Sequence, residues 1–370
     1  MPSQLHNKIF SFQSLQYRRI ATFNASSHHI SCLAVHDNLL YAAAVNEISV
    51  FDLSNHSIMD SFNDDPTTGF VKSIAFKETK IFTAHQDGKI RIWKINTPSK
   101  KHHLISTLPT VKDRLLNSML PRNYVNVRLH KKKLWMEHWD TVSGLIINEA
   151  KGVMYSVSWD KSFKIWNLKT QRCLESVKAH DDAVNALVVS DNGTVYTGGA
   201  DGLIRIWEVA VSERRHGLVG TLDKHKSTVN ALALNGDGTV LFSGGCDGSI
   251  MVWEKRDDDT QVGFVESLCG HSAAILCLIN VGHSFISGSS DRTVRVWRRG
   301  KEEGGFHCCL VLEGHEKPVK SLVAVERRVF DGVVLICSGS LDGEIRVWEI
   351  STCSNFKISK INHKNSIKVS

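Results

Sequence analysis

Hydrophobic and polar positions alternate along this chain in short runs, broken at intervals by Gly, Asp and Asn. Residues 179–207 (AHDDAVNALVVSDNGTVYTGGADGLIRIW) show the unit most clearly. A His opens it, a run through Val184, Ala186 and Leu187 follows, and Asp191-Asn192-Gly193 makes a turn. A second run over 195–197 meets a tight turn at Ala200-Asp201-Gly202, and a third run ends at Trp207. Segments of this length, alternation and punctuation predict meandering antiparallel strands. The closing Trp recurs at Trp93, Trp166, Trp207, Trp253, Trp297 and Trp348, with spacings of 73, 41, 46, 44 and 51 residues. A repeat of roughly 40–45 residues with four strands per unit predicts small sheets set radially around one axis.

Counting units gives an all-β, seven-bladed β-propeller over residues 15–350. A polar N-terminal tail (1–14) and a basic C-terminal tail (351–370) flank it. Blade one is degenerate. Ser26 stands where later units have His, Asn46 stands near the turn Asp, and Phe51 replaces Trp. Blade two keeps Thr83, Asp87-Gly88 and Trp93 but shows no matching His. Blades three to seven carry the full set: His138, Ser156, Asp160 and Trp166; His180, Thr197, Asp201 and Trp207; His225, Ser243, Asp247 and Trp253; His271, Ser287, Asp291 and Trp297; His315, Ser338, Asp342 and Trp348. In each, the hydroxyl lies four residues before the Asp and the Trp six after it. Residues 15–23 read as an orphan strand, which is expected to complete the last blade and remove an open sheet edge.

These motifs resemble WD40 proteins over about 15–350. The resemblance implies that each His, Ser or Thr, Asp and Trp set forms a hydrogen-bonded tetrad inside its blade. The chemistry fits. The Asp can accept from turn N–H groups and from the His, and the hydroxyl links His to an indole that can only donate. Ser, His and Asp together also suggest a hydrolase, but five copies, one per blade, argue for architecture. No catalytic residue, cofactor or small-molecule substrate is expected.

The 73-residue gap between Trp93 and Trp166 contains a surplus at 109–137, PTVKDRLLNSMLPRNYVNVRLHKKKLWME. From 112 to 137 it holds Lys112, Arg114, Arg122, Arg128, Lys131, Lys132 and Lys133 against Asp113 and Glu137. That surplus of five positive charges compares with a net charge of +7 for the whole chain. Leu115, Leu116, Met119 and Leu120 are expected to pack one side of a short helix ended by Pro121. Residues 124–129 alternate like a strand. By analogy with the family, the insert emerges on the face that carries the Asp turns. The runs KDRL, PRNYVNVR and HKKKLW, with SWDKSFKIW closing blade three, resemble the JINGUBANG-like WD40 proteins of plants. That resemblance implies a plant origin, a non-enzymatic propeller and cytoplasmic or nuclear residence.

Composition adds exclusions. Hydrophobic residues make up 42% of the chain, enough for a large core, and no apolar run approaches a membrane span or a signal peptide. Nine Cys without CxxC pairs read as reduced thiols rather than a disulfide framework or zinc site. His28-His29 and His102-His103 lack further ligands at useful spacing, so no metal is expected. The basic charge is too local for a nucleic-acid protein, and direct nucleic-acid binding is not expected.

The function predicted is that of a monomeric, non-enzymatic scaffold binding one or more proteins, an acidic one in particular, in the cytoplasm, the nucleus or both. The candidate contact residues are Trp159, Trp139, Arg122, Tyr124, Arg128, Lys131, Lys132 and Lys133. Trp159 and Trp139 stand where other blades have smaller or polar residues, and Trp and Arg are enriched in interface hot spots. The alternative for both Trp is a small core beneath the insert. For the lysine run, a nuclear-import signal or a phosphate contact stands beside a plain solvated loop. An alternative function rests on DGSIMVWEKR (247–256), which resembles the WDxR box of substrate receptors of cullin-based ubiquitin ligases, with Trp253, Glu254 and Arg256 matching.

Overall fold

The computed structural model describes residues 15–25, 29–63, 65–96, 101–128, 131–210, 215–255, 261–300, 304–325 and 333–352. The tails 1–14 and 353–370 lie outside the described residues, as do Ser26, His28 and Arg256. Seven four-stranded antiparallel sheets follow one another along the chain, with a two-stranded hairpin between the second and third. This is the seven-bladed propeller that the repeat predicts.

The innermost strands are Ile30–His36, Val71–Lys77, Val142–Asn148, Val184–Val189, Val229–Leu234, Ile275–Val281 and Val319–Val325. The second strand of each blade reads as an almost unbroken run of apolar and small residues. Val195–Gly199 and Val240–Gly245 are buried at every position, because neighbouring blades cover both of their faces. Outer strands alternate, as in Cys173–Lys178, where one face meets solvent. The core lies in the seams between blades. Phe163 of blade three meets Trp207 of blade four in a T-shaped contact at 5.4 Å, and Phe242 of blade five stacks on Phe285 of blade six at 4.1 Å.

Ring closure uses the first strand. Leu15–Asn24 pairs antiparallel with Glu344–Thr352, so the outermost strand of blade seven comes from the start of the chain. That strand reaches Thr352, two residues past the boundary expected at 350. Blade seven meets blade one directly, with Leu33 N–H donating to Ser321 Oγ at 2.8 Å.

Each innermost strand has a bulge at the same place, one residue past its start. The skipped residues are Ser31, Lys72, Ser143, Asn185, Asn230, Leu276 and Lys320. Four of them reach the first carbonyl of the next blade: Ser31 to Val71, Ser143 to Val184, Asn185 to Val229 and Asn230 to Ile275, at 2.5 to 3.4 Å. The bulge thus turns one side chain per blade sideways and links the ring.

Candidate functional site

Tetrad geometry comes first, because it sets what the blades can and cannot do. In blade three His138 Nδ1 lies 2.7 Å from Asp160 Oδ2, His138 Nε2 lies 2.8 Å from Ser156 Oγ, and Trp166 Nε1 donates to Ser156 Oγ at 2.9 Å. Blades four, five and six repeat it through His180–Asp201, His225–Asp247 and His271–Asp291, at 2.7 to 3.1 Å. Thr197, Ser243 and Ser287 bridge to Trp207, Trp253 and Trp297 at 2.8 to 3.0 Å. Burial holds His138, His180 and His271 below the ordinary histidine range despite the neighbouring carboxylates. These rings are neutral and donate from Nδ1 to the Asp; the His side chains are almost wholly buried, whereas Asp201 and Asp247 keep 14% and 16% of their side chains exposed.

Blade two corrects the sequence reading. Its loop has no His, but His85, on the strand itself, places Nε2 2.7 Å from Thr83 Oγ1 while Trp93 donates to the same oxygen at 2.9 Å. His85 is fully buried, and burial pushes its ring down to about 3. Other blades have Gly or Ser two residues after the hydroxyl. A Cβ on Gly199 would stand 2.4 Å from His180 Nδ1, so that space belongs to the imidazole from the loop. Blade two fills the same space from the other side, and Asp87, released from a His, is bracketed by Arg91 at 2.7 and 3.2 Å. A His where its counterparts are Gly or Ser was the legible signal.

Blade seven is the loose case. His315 Nε2 bonds Ser338 at 2.7 Å, and Ser338 accepts from Trp348 at 2.8 Å, but His315 Nδ1 stands 3.6 Å from Asp342 and has no hydrogen-bond partner. His315, Asp342 and Glu344 bring ligand atoms within 4.8 Å of one another. Arg346 donates twice to Glu344, at 2.8 and 3.0 Å, and so places a fixed positive charge at the same spot. The group is better suited to a slack tetrad than to a cation.

A second polar device joins outer strands across seams. His102 Nδ1 lies 2.6 Å from Asp60 of the preceding blade, and its Nε2 lies 3.3 Å from Tyr41. Two blades on, His216 Nδ1 lies 2.8 Å from Glu175, with Tyr155 edge-on to its ring. At a third seam the Phe306 N–H donates to Glu266 at 2.9 Å. An acid followed one blade period later by a His carried this signal, which the tetrad pattern alone misses. A cleft of about 590 Å³ at the His216 seam is lined by Trp135, Lys151, Tyr155, Glu175 and Arg215 among others. Recurrence of the pair at two seams marks it as a clasp between blades.

The eight expected contact residues do not all gather in one place. Trp159 is 38% exposed in the tight turn of blade three, with Lys72 Nζ 5.4 Å from its ring and 4.8 Å from that of Phe70. Lys72 and Lys320 are the bulge residues of blades two and seven, at the mouth of the channel. The seven innermost strands contain no Asp or Glu. Burial, with Lys320 nearby, holds Lys72 below the ordinary lysine range. Trp139 is partly buried, and its backbone N–H donates to Asp160 Oδ2 at 3.2 Å.

The insert takes another course. It leaves blade two after Lys101–Leu108 and forms a helix, Val111–Ser118, then a hairpin of Tyr124–Arg128 with Lys131–Leu134. Asp113 of the helix meets Arg172, which sits in the loop between the third and fourth strands of blade three. Lys164 donates to the Trp135 carbonyl at 2.7 Å, and Leu134 and Met136 are buried. The insert therefore lies along the outer side of blade three and does not cover Trp159. Arg122, Tyr124, Lys131, Lys132 and Lys133 are exposed; the Arg128 side chain lies outside the described residues. The expected packing of the helix is reversed. Leu115, Leu116, Met119 and Leu120 face solvent, because the polar contacts of Asp113 and Asn117 hold the opposite side inward.

The WDxR-like box also changes meaning. Trp253 is buried in its tetrad and offers no surface, and Glu254 pairs with Arg299. Arg256 lies outside the described residues.

Sheet order, repeat and tetrads together define a propeller of WD40 type. The model of the WD domain, G-beta repeat, matches residues 171–208, 217–254, 263–298 and 306–349, which take in the Asp turns and closing Trp of blades four to seven. Curated relatives include the mitochondrial division protein 1 of Pyricularia oryzae, 29% identical over 160 residues, 43% of this chain and 22% of that protein. A CCR4-associated factor 4 homolog of Candida glabrata is 30% identical over 28% of this chain and 19% of its own length. Human apoptotic protease-activating factor 1 is 30% identical over 57% of this chain and 18% of its own length. The chain thus spans about a fifth of the length of the relatives it matches.

Proposed function

We propose that this propeller is a non-enzymatic scaffold that seats an acidic protein segment over the mouth of its channel, beside blade three. The observation that carries the reading is the exposed Trp159 ring next to Lys72, in a mouth whose strands supply lysines and no acid. An indole beside an ammonium gives apolar contact and charge in one place, the pairing that interface hot spots favour. The lysines would speed encounter with an acidic partner more than they slow its release. The rigid ring, with the His and Asp groups of blades three to six hydrogen-bonded to one another, supports binding over catalysis. In this reading the protein is a monomer of the cytoplasm, nucleus or both. The insert's likeness to the JINGUBANG-like proteins supports a place in plant signalling or transcriptional control.

The test is proximity labelling in plant cells, followed by titration of each recovered partner with wild type, Trp159→Ala and Lys72→Ala. Trp159→Ala is expected to weaken the true partner by about 30-fold, near 2 kcal/mol, with an unchanged melting curve. A folded Trp159→Ala that binds every recovered partner as wild type does would remove the site from the mouth.

A further inference from the structure

The helix Val111–Ser118 is built inside out. Its buried side carries Asp113, 8% exposed, and the half-buried Asn117, whereas Val111, Leu115 and Met119 are 73%, 61% and 77% exposed. Those three recur at i, i+4 and i+8 and so form one edge, with the exposed Leu116 and Leu120 beside it. A short helix on a soluble domain ordinarily turns such an edge inward.

Polar contacts hold this orientation. Thr110 caps the helix, accepting from the Asp113 N–H at 3.1 Å and donating to its carboxylate at 2.9 Å. Arg172 reaches the other carboxylate oxygen at 3.3 Å, and Arg114 pairs with Glu137 at 2.8 Å. Asn123 donates to the Asn117 carbonyl and side chain, and the Tyr124 hydroxyl donates to the Ser118 carbonyl, so the hairpin is tied to the helix end. Both acids of the insert are thereby consumed. Lys112, Arg122, Lys131, Lys132 and Lys133 stand exposed around the aliphatic edge. On the hairpin, the exposed Val125 and Lys133 are direct cross-strand partners.

We infer that the insert is a docking element for an anionic membrane surface, independent of the mouth around Trp159. An aliphatic edge ringed by lysines that make no ion pair among the described residues matches a layer of acidic headgroups over acyl chains. The helix residues line neither the cleft beside His216 nor the one between blades five, six and seven, and the edge is exposed along its length. A fluid interface accepts such an edge without needing a preformed groove. One short aliphatic edge is a weak anchor alone, and one basic cluster is too. Together they supply the two signals that stable but reversible membrane attachment requires.

The experiment is co-sedimentation of the full chain with vesicles of phosphatidylcholine alone or with about one third phosphatidylserine. Wild type is expected to partition at least about 10-fold more strongly onto the anionic vesicles, with the preference lost in high salt. Leu115→Ser with Met119→Ser, and separately Lys131→Ala with Lys132→Ala and Lys133→Ala, should each cut that partition about 10-fold. Their circular dichroism melts should match wild type, since all five side chains are exposed. Equal partition onto both vesicle types, or an unchanged Leu115→Ser and Met119→Ser variant, would overturn the inference. So would failure to bind vesicles together with capture of an acidic protein that depends on Leu115 and Met119.

Discussion

The ring and the insert treat polarity in opposite ways. In blades three to six, the hydroxyl, the Trp and the His ring are taken out of water in a network that an Asp closes at the rim, and apolar side chains fill the seams. In the insert, ion pairs and caps are spent on holding an aliphatic edge in water. Residues of the first kind are accounted for by folding, because removing them orphans buried groups or opens a cavity. Residues of the second kind are not, because an exposed Leu contributes little to the folded state. The difference separates what builds the scaffold from what it offers to other molecules.

The strongest way to break the ring is to remove its closing strand. Deletion of residues 1–24 leaves Glu344–Thr352 as a bare edge and uncovers the Phe23 seam with Phe51. The shortened chain should lose the elution peak of the intact chain in size-exclusion chromatography and run as aggregate, whereas deletion of 1–14 should leave the peak in place.

Single tetrad changes come next. Asp201→Ala leaves His180 Nδ1 without its acceptor and should cost about 1–3 kcal/mol in denaturant unfolding. His85→Gly should cost a similar amount, since it strips Thr83 of the same kind of partner. Asn46→Ala, in the blade that has no tetrad, should stay within about 0.5 kcal/mol. Equal losses at Asp201 and Asn46 would erase the distinction between blades.

The repeat made the ring legible because five blades hold a hydroxyl, an Asp and a Trp at one spacing, with a His ahead of them. It also made the orphan strand legible, because 15–23 aligns with outer strands elsewhere. Periodicity could not report His85, whose ring reaches the tetrad from the strand and lies out of register with its five counterparts. Nor could it place the insert. Leu115, Leu116, Met119 and Leu120 have the spacing of a packed helix face, and nothing in that spacing says which side is covered. Asp113, through its contacts with Thr110 and Arg172, decides the matter in three dimensions. Trp159 stood out in sequence as an aromatic at a turn otherwise occupied by smaller or polar residues. Its neighbour Lys72 did not, since a bulge brings it to the mouth from another blade.

The smallest expected effect is also the most telling. Equilibrium denaturation of Leu115→Ser with Met119→Ser, run beside Asp201→Ala, asks whether the aliphatic edge belongs to folding. The account predicts an unfolding free energy within about 0.5 kcal/mol of wild type for the double variant, against a loss of about 1–3 kcal/mol for Asp201→Ala. A loss in the double variant as large as that at Asp201 would show that the edge is part of the folded core, and would contradict the division between ring and insert.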